Sequence, residues 1–152
     1  MLYLGIDPGQ SGGWALIDDM GDILECALFD DKEQLKWLLW AFVEYHRSQA
    51  TGIQWAALEK VHSMPKQGVA STFKFGTNYG WWQGVLEAHS IPYALITPQR
   101  WMKSDVLDSG DRSKKHRLEC ARRKWPAAPL SRVKDSGVAD ALLLAEYARI
   151  KS

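Results

Sequence analysis

Three acidic residues stand where apolar residues otherwise prevail. Asp7 ends the run Leu2-Tyr3-Leu4-Gly5-Ile6 and is followed at once by Pro8-Gly9, Glu59 closes Trp55-Ala56-Ala57-Leu58, and Asp140 lies at the start of an apolar C-terminal segment. A buried carboxylate is costly unless it is paired or bound to a metal. Three carboxylates gathered at one point also repel one another, and a divalent cation relieves that better than a single lysine. Mg2+ suits such a set, because it prefers hard oxygen ligands, keeps several waters and commonly bridges to phosphates. Taken singly, each acid could instead cap a helix or form a salt bridge.

The elements that must position these acids can be read from periodicity and turn residues. Leu2 to Asp7, Gly13 to Ile17 and Ile23 to Phe29 have strand character, separated by the turn-rich stretches 8–12 and 18–22, which predicts a β-meander. Leu35, Leu38, Leu39, Phe42 and Val43 follow helical spacing, so residues 31–48 should form an amphipathic helix on the sheet. A fourth strand over Gln54 to Glu59 can then lie parallel to the first through a right-handed crossover. That places Asp7 and Glu59 at neighbouring strand ends. Residues 69–90 read as a second helix stopped by Pro92, and Tyr93 to Ile96 as a fifth strand.

The second helix carries Gly76, Gly80 and Gly84 at every fourth position, a spacing that lines one face with residues lacking side-chain bulk. Each costs about 1 kcal/mol against alanine. Close approach by the sheet or by another subunit is the expected compensation. Thr97-Pro98 has the form of an N-cap followed by a first-turn proline, predicting a short helix around Gln99 to Lys103. A basic helix over Arg112 to Lys124, a loop over 126–134 and a final helix from Ser136 complete the chain. The expected fold class is α/β, a five-stranded mixed sheet with an antiparallel meander and then parallel strands, flanked by helices.

At 152 residues, 46% hydrophobic and 24% charged, the sequence suits one domain over 1–152 with one core. No stretch approaches the roughly 20 apolar residues that span a bilayer, and nothing at the N-terminus directs export, so no membrane partner and a cytoplasmic setting are expected. Cys26 and Cys120 form no CxxC pair, so neither a zinc site nor a disulfide framework is suggested. The net charge of +1 hides a segregation: residues 1–65 carry 4 Lys/Arg against 10 Asp/Glu, whereas residues 98–134 carry 11 against 4. The basic segment is either a phosphate-binding surface or a solvated helix face.

The motifs taken together resemble the RuvC family of Holliday-junction resolvases. Leu4-Gly5-Ile6-Asp7-Pro8-Gly9 is similar to the first catalytic strand of that family, Leu58-Glu59-Lys60-Val61 to its second acidic motif, and Gly137-Val138-Ala139-Asp140-Ala141-Leu142 to its C-terminal motif. Thr97-Pro98 leading to Trp101-Met102-Lys103, and Ser113-Lys114-Lys115 ahead of Trp125-Pro126, extend the resemblance over nearly the whole chain. Met64-Pro65-Lys66-Gln67-Gly68 looks like phage-encoded members. Actin-like and Hsp70-like ATPases and sugar kinases share a first strand with Asp-x-Gly, but they need two lobes and further phosphate loops. One departure stands out: the family places a fourth acid three or four positions before the last, where this chain has Gly137 and Ser136. The nearest acid is Asp135, five positions before Asp140.

The resemblance implies a ribonuclease-H-like fold and two-metal phosphodiester hydrolysis, with Mg2+ as the cofactor, two ions per site, and Mn2+ as a substitute. No nucleotide cofactor is expected. Asp7 would bridge the ions, Glu59 and Asp140 would each hold one side with Asp135 assisting, and the products would carry 5′-phosphate and 3′-hydroxyl ends. Lys114 matches a family lysine near the scissile phosphate; the other reading is a solvated lysine on a basic helix. The implied DNA contacts are Lys66, Gln67, Ser71, Phe73, Lys103, Arg112, Lys114, Lys115 and Arg117. Phe73 and Phe75 either stack on unpaired bases or belong to the core of the second helix. The expected substrate is branched DNA, foremost four-way junctions, cut by a homodimer. The rivals are a nuclease of the same fold acting on other branched DNA or on RNA, and a junction-binding protein that has lost activity, which the retained Asp7, Glu59 and Asp140 argue against.

Overall fold

A computed structural model of the chain describes residues 1–29, 32–48, 52–61, 68–108 and 110–152. Five strands, β1 (Leu2–Asp7), β2 (Gly13–Asp18), β3 (Ile23–Leu28), β4 (Ile53–Glu59) and β5 (Tyr93–Ile96), form one sheet in the order β3-β2-β1-β4-β5. β1 pairs antiparallel with β2 and parallel with β4, and β4 pairs parallel with β5. The mixed sheet and the crossover are therefore as expected. Helix α1 (Lys32–Ser48) makes the crossover from β3 to β4, and α2 (Val69–Ala88) the one from β4 to β5.

The helices α3 (Pro98–Trp101), α4 (Lys114–Lys124) and α5 (Ser136–Lys151) follow, with a short 3-10 turn at Val133–Asp135. α3 ends at Trp101 rather than Lys103, and two further ends differ from the expected ones for visible local reasons. α2 stops at Ala88, before Pro92, because Ser90 turns left-handed at φ 52° and the Ile91 N–H reaches back to the Leu86 carbonyl at 2.9 Å. α4 starts at Lys114 because Ser113 is its N-cap, its Oγ accepting the His116 N–H at 3.2 Å.

The sheet is covered on both faces. Leu4, Ile6, Trp14 and Leu16 point toward Leu38, Trp82 and Leu86, whereas Tyr3, Ala15, Ile17 and Ala57 meet α4 and α5. Every residue of α5 from Ser136 to Ala148 is buried, as expected for a helix that is apolar on all sides. Two glycines permit this depth. A Cβ on Gly5 would lie 2.0 Å from the Ala141 carbonyl oxygen, and one on Gly137 would lie 2.0 Å from that of Ser11. The backbone of α5 thus rests directly on β1, and its first turn is wedged against the loop that follows Asp7.

The glycine stripe of α2 behaves differently. A Cβ on Gly76, Gly80 or Gly84 would meet nothing within 4 Å among the described residues, so the sheet is not what approaches this face. Trp82 is fully buried beneath Phe29, while Trp81 keeps 36% of its surface exposed. Among the described residues no helix is long and apolar enough to cross a membrane.

Candidate active site

Asp7 and Glu59 end adjacent parallel strands, because Ile6 lies opposite Leu58 in the register of β1 and β4. In open α/β sheets the carboxyl ends of parallel strands are where crevices form. Asp140 enters the same place from α5, whose start is held there by the Gly137 contact. The three acids sense one another. Burial, then the charge of Asp140, raises the Asp7 carboxyl to about 6, against the Gly9 N–H that donates to its Oδ1 at 3.0 Å and the charges of Arg117 and Lys114. Burial and then Asp7 push Glu59 up to about 8, with Asp140 adding to the rise.

Two residues from neighbouring elements complete the cluster. Trp101, fully buried in α3, donates its indole N–H to Glu59 Oε1 at 2.8 Å. Arg117 of α4 grips Asp140 with both arms, Nε to Oδ1 at 2.7 Å and Nη2 to Oδ2 at 2.9 Å, while its Nη1 donates to the Arg112 carbonyl at 2.6 Å. Burial disfavours the charge of Arg117, but the bonds to Asp140 and the fields of Asp140, Glu59 and Asp7 more than offset it and hold the guanidinium firmly protonated. Arg117 also lies 6.0 Å from the Trp101 ring centroid.

The sequence pointed to Arg117 only as a phosphate contact, whereas here its side chain is 14% exposed and engaged with Asp140. Trp101 was noted as part of a motif without a role. Its position had a signal, since a helix following β5 starts at the same sheet end as Glu59. Lys114 is exposed at the first position of α4 and its charge reaches Asp7. Asp135 is buried, yet its oxygens are taken by Arg132: the backbone N–H donates to Oδ2 at 2.8 Å and Nη2 to Oδ1 at 2.7 Å. Burial opposes its charge, but the bonds from Arg132 and the field of Lys134 hold its carboxyl below the usual range.

Of the expected DNA contacts, Ser71, Lys103, Arg112, Lys114 and Lys115 are exposed. Phe73 is 76% exposed rather than part of the core and, with Gln10 from the loop after Asp7, lines a shallow hollow shared with Lys74, Thr77 and Asn78. Lys66 and Gln67 lie outside the described residues.

Three carboxylates with one guanidinium beside them offer the oxygen donors that suit a divalent cation, although their oxygens do not all lie within 4.8 Å of one another. Burial and mutual repulsion would leave Glu59 protonated near neutral pH, and added positive charge is what would ionise it.

No protein-family model and no curated protein matches this sequence. Solved structures do. Thermus thermophilus RuvC in complex with a Holliday junction substrate aligns with a TM-score of 0.64 at 20% identity, covering 99% of this chain and 96% of that one. A second Thermus thermophilus RuvC structure aligns with a TM-score of 0.61 at 22% identity, covering 99% and 97%. The chain has the fold of these proteins, the ribonuclease-H-like fold expected from its motifs.

Proposed function

We propose that this chain is a metal-dependent endonuclease of the RuvC type that cuts branched DNA, with four-way junctions as its preferred substrate. The observation that carries the reading is the meeting of Asp7, Glu59 and Asp140 at one end of the sheet. The fold supports it, since a neighbour aligned over 99% of the chain was solved with a Holliday junction.

Asp7, Glu59 and Asp140 are the residues that would hold Mg2+, with Asp135 assisting. Mn2+ would substitute. When bound, the ions would supply charge stabilisation to the attacking and leaving oxygens of an in-line displacement, giving 5′-phosphate ends. The chain's own residues prepare that chemistry. Trp101 fixes the Glu59 carboxylate through one oxygen, which is the orienting role that partners of metal ligands play. Arg117 must give up Asp140 before Asp140 can serve as a ligand, and its freed guanidinium is then available to a DNA phosphate. Lys114 stands near enough to Asp7 to act on charge developing at the phosphate.

Ser71, Phe73, Lys103, Arg112 and Lys115, with Lys66 and Gln67, are the further DNA contacts in this reading. A homodimer would place two sites on the two strands of a twofold junction, and the open glycine face of α2 with the partly exposed Trp81 is the surface we assign to it. No nucleotide cofactor is required, and the setting is the cytoplasm of a bacterium or of a phage-infected host.

The test is a panel of end-labelled four-way junction, fork, duplex and RNA substrates incubated with protein and Mg2+. Paired symmetric nicks in the four-way junction, absent in Asp7→Asn, Glu59→Gln and Asp140→Asn although each still binds DNA, are the expected result. Preference for forks or RNA would retain the nuclease and reject the junction, and binding without cleavage at any metal concentration would leave an inactive junction-binding protein. Sedimentation at micromolar concentration, together with a cruciform plasmid assay, reads the dimer: singly nicked cruciforms from a stable monomer would defeat it.

A further inference from the structure

Among the described residues, one set of His, Cys and acidic side chains converges closely enough to hold an ion between them, and it is not the carboxylate cluster. Asp108, His116 and Cys120 bring Oδ1, Nε2 and Sγ within 4.8 Å of one another. The pairwise separations are 2.9 Å from His116 Nε2 to Asp108 Oδ1, 3.2 Å from Cys120 Sγ to Asp108 Oδ1, and 3.2 Å from Sγ to Nε2. His116 and Cys120 lie four residues apart in α4 and so share a helix face. Asp108 comes from the preceding loop. The sequence did not suggest a zinc site because its two cysteines are far apart and the third donor lies in a loop.

We propose that Asp108, His116 and Cys120 form a second, transition-metal site, best suited to Zn2+, which ties the loop before α4 to that helix. Zn2+ binds oxygen and nitrogen at about 2.0–2.2 Å and thiolate at about 2.3 Å, so the edges of its tetrahedron run to about 3.3–3.6 Å. The three donors are a few tenths of an ångström closer than that, at hydrogen-bonding distance. A small outward movement would open them onto an ion in place of the protons they now share.

The mixed oxygen, nitrogen and sulfur donors discriminate against Mg2+, which takes oxygen ligands, and favour a borderline metal. The second oxygen of Asp108 is held by Arg123, which also donates to Cys120 Sγ at 3.3 Å. That contact orients the carboxylate so that Oδ1 faces the other two donors, as outer-shell partners do at metal sites. Its positive charge also weakens the site relative to a closed four-ligand one. Asp108 is 56% exposed on its side chain and Cys120 is buried, so the fourth position faces water. Binding converts the Cys120 thiol to a thiolate and releases its proton to solvent. Lys114 and Arg117 lie on the same helix, so the ion would stiffen the support of both.

Co2+ is the probe, since thiolate coordination gives it a sulfur-to-metal charge-transfer absorption that carboxylate sites lack. Chelator-stripped full-length protein titrated with Co2+ should develop that band to one equivalent, lose it on addition of Zn2+, and keep it in excess Mg2+. Cys120→Ser and His116→Gln should abolish the band or weaken Co2+ binding about tenfold or more, whereas Cys26→Ser and Asp7→Asn should retain it. Circular dichroism checks that each variant is folded. A folded wild-type protein without the band at saturating Co2+, or a band that follows Cys26 rather than Cys120, overturns the proposal. So would identical Zn2+-induced thermal shifts in wild type and Cys120→Ser. None of these readouts depends on nuclease activity.

Discussion

Arg117 and Asp140 are joined through two parallel hydrogen bonds, 2.7 and 2.9 Å long, within a cluster that also holds Asp7 and Glu59. The guanidinium therefore occupies in electrostatic terms the place that a divalent ion would take. Arg117→Gln should lower stability in metal-free buffer by about 1–3 kcal/mol, the cost of leaving a buried charged acceptor unpaired. Ligand binding stabilises in proportion to its affinity for the folded state, and the ion no longer competes with the arginine. Mg2+ should accordingly raise the melting temperature of Arg117→Gln more than that of the wild type. Equal shifts would mean that Arg117 and the ion do not exclude one another.

Asp135 is fastened to Arg132 by its backbone N–H and its guanidinium. Asp135→Asn should cost about 1–3 kcal/mol, because bonds to a charged acceptor are lost, and should slow cleavage far less than Asp7→Asn. Denaturant titration and single-turnover rates measure the two effects. A rate loss as deep as that of Asp7→Asn would make Asp135 a full ligand.

Lys114→Ala should slow the single-turnover rate at saturating protein by about tenfold or more while changing the DNA dissociation constant by less, the pattern of a group acting on transition-state charge. Filter binding and rapid-quench cleavage give the two numbers. An unchanged rate would leave Lys114 an ordinary phosphate contact.

Gly5→Ala should be severely destabilising, by about 3 kcal/mol or more, because its Cβ would overlap the backbone of α5 at Ala141 and Ala145. Gly80→Ala meets nothing within 4 Å among the described residues and should stabilise an isolated chain by about 0.4–1 kcal/mol, through helix propensity. If the α2 face is the dimer contact, the same substitution should weaken self-association. Melting curves at several protein concentrations separate the two effects.

Glu146 is buried between Lys124 and Arg149, with Arg149 Nε 2.7 Å from Oε2. Burial works against its charge, but the bonds from Arg149 and Lys124 prevail and hold its carboxyl below the ordinary value of 4.5. A depressed carboxyl stabilises the folded state above its unfolded pKa, and that contribution is lost as pH falls through the folded value. Wild type should therefore lose stability in the acid range below about pH 4.5. Glu146→Gln should start less stable at pH 7 and show a smaller loss over that range. Parallel slopes in pH-dependent urea melts would assign the acid sensitivity to other carboxylates.

Much of the architecture could be read from the chain. The strands ended where turn residues began, and the interval between β3 and β4 was long enough for a crossover helix, which puts Asp7 beside Glu59. Helix ends were less legible, because Ser113 and Ser90 act through local geometry rather than through hydrophobic period.

What the sequence determined by itself was the set of strands and helices, the placing of β4 beside β1, and the acids that end two of its strands and begin its last helix, since periodicity of two and of 3.6 is a local property and a long interval between strands implies a crossover. Which side chains would meet those acids was decided by tertiary structure. Arg117 meets Asp140 where Gly5 and Gly137 let α5 lie against β1 and its loop, Trp101 meets Glu59 because β5 lies beside β4, and hydrogen bonds across 23 and 42 positions have no local signature. The same holds for the outward turn of the α2 glycines and for Asp108 meeting His116 and Cys120. In each case the deciding quantity is the direction of one element relative to another, which packing sets and spacing along the chain does not encode.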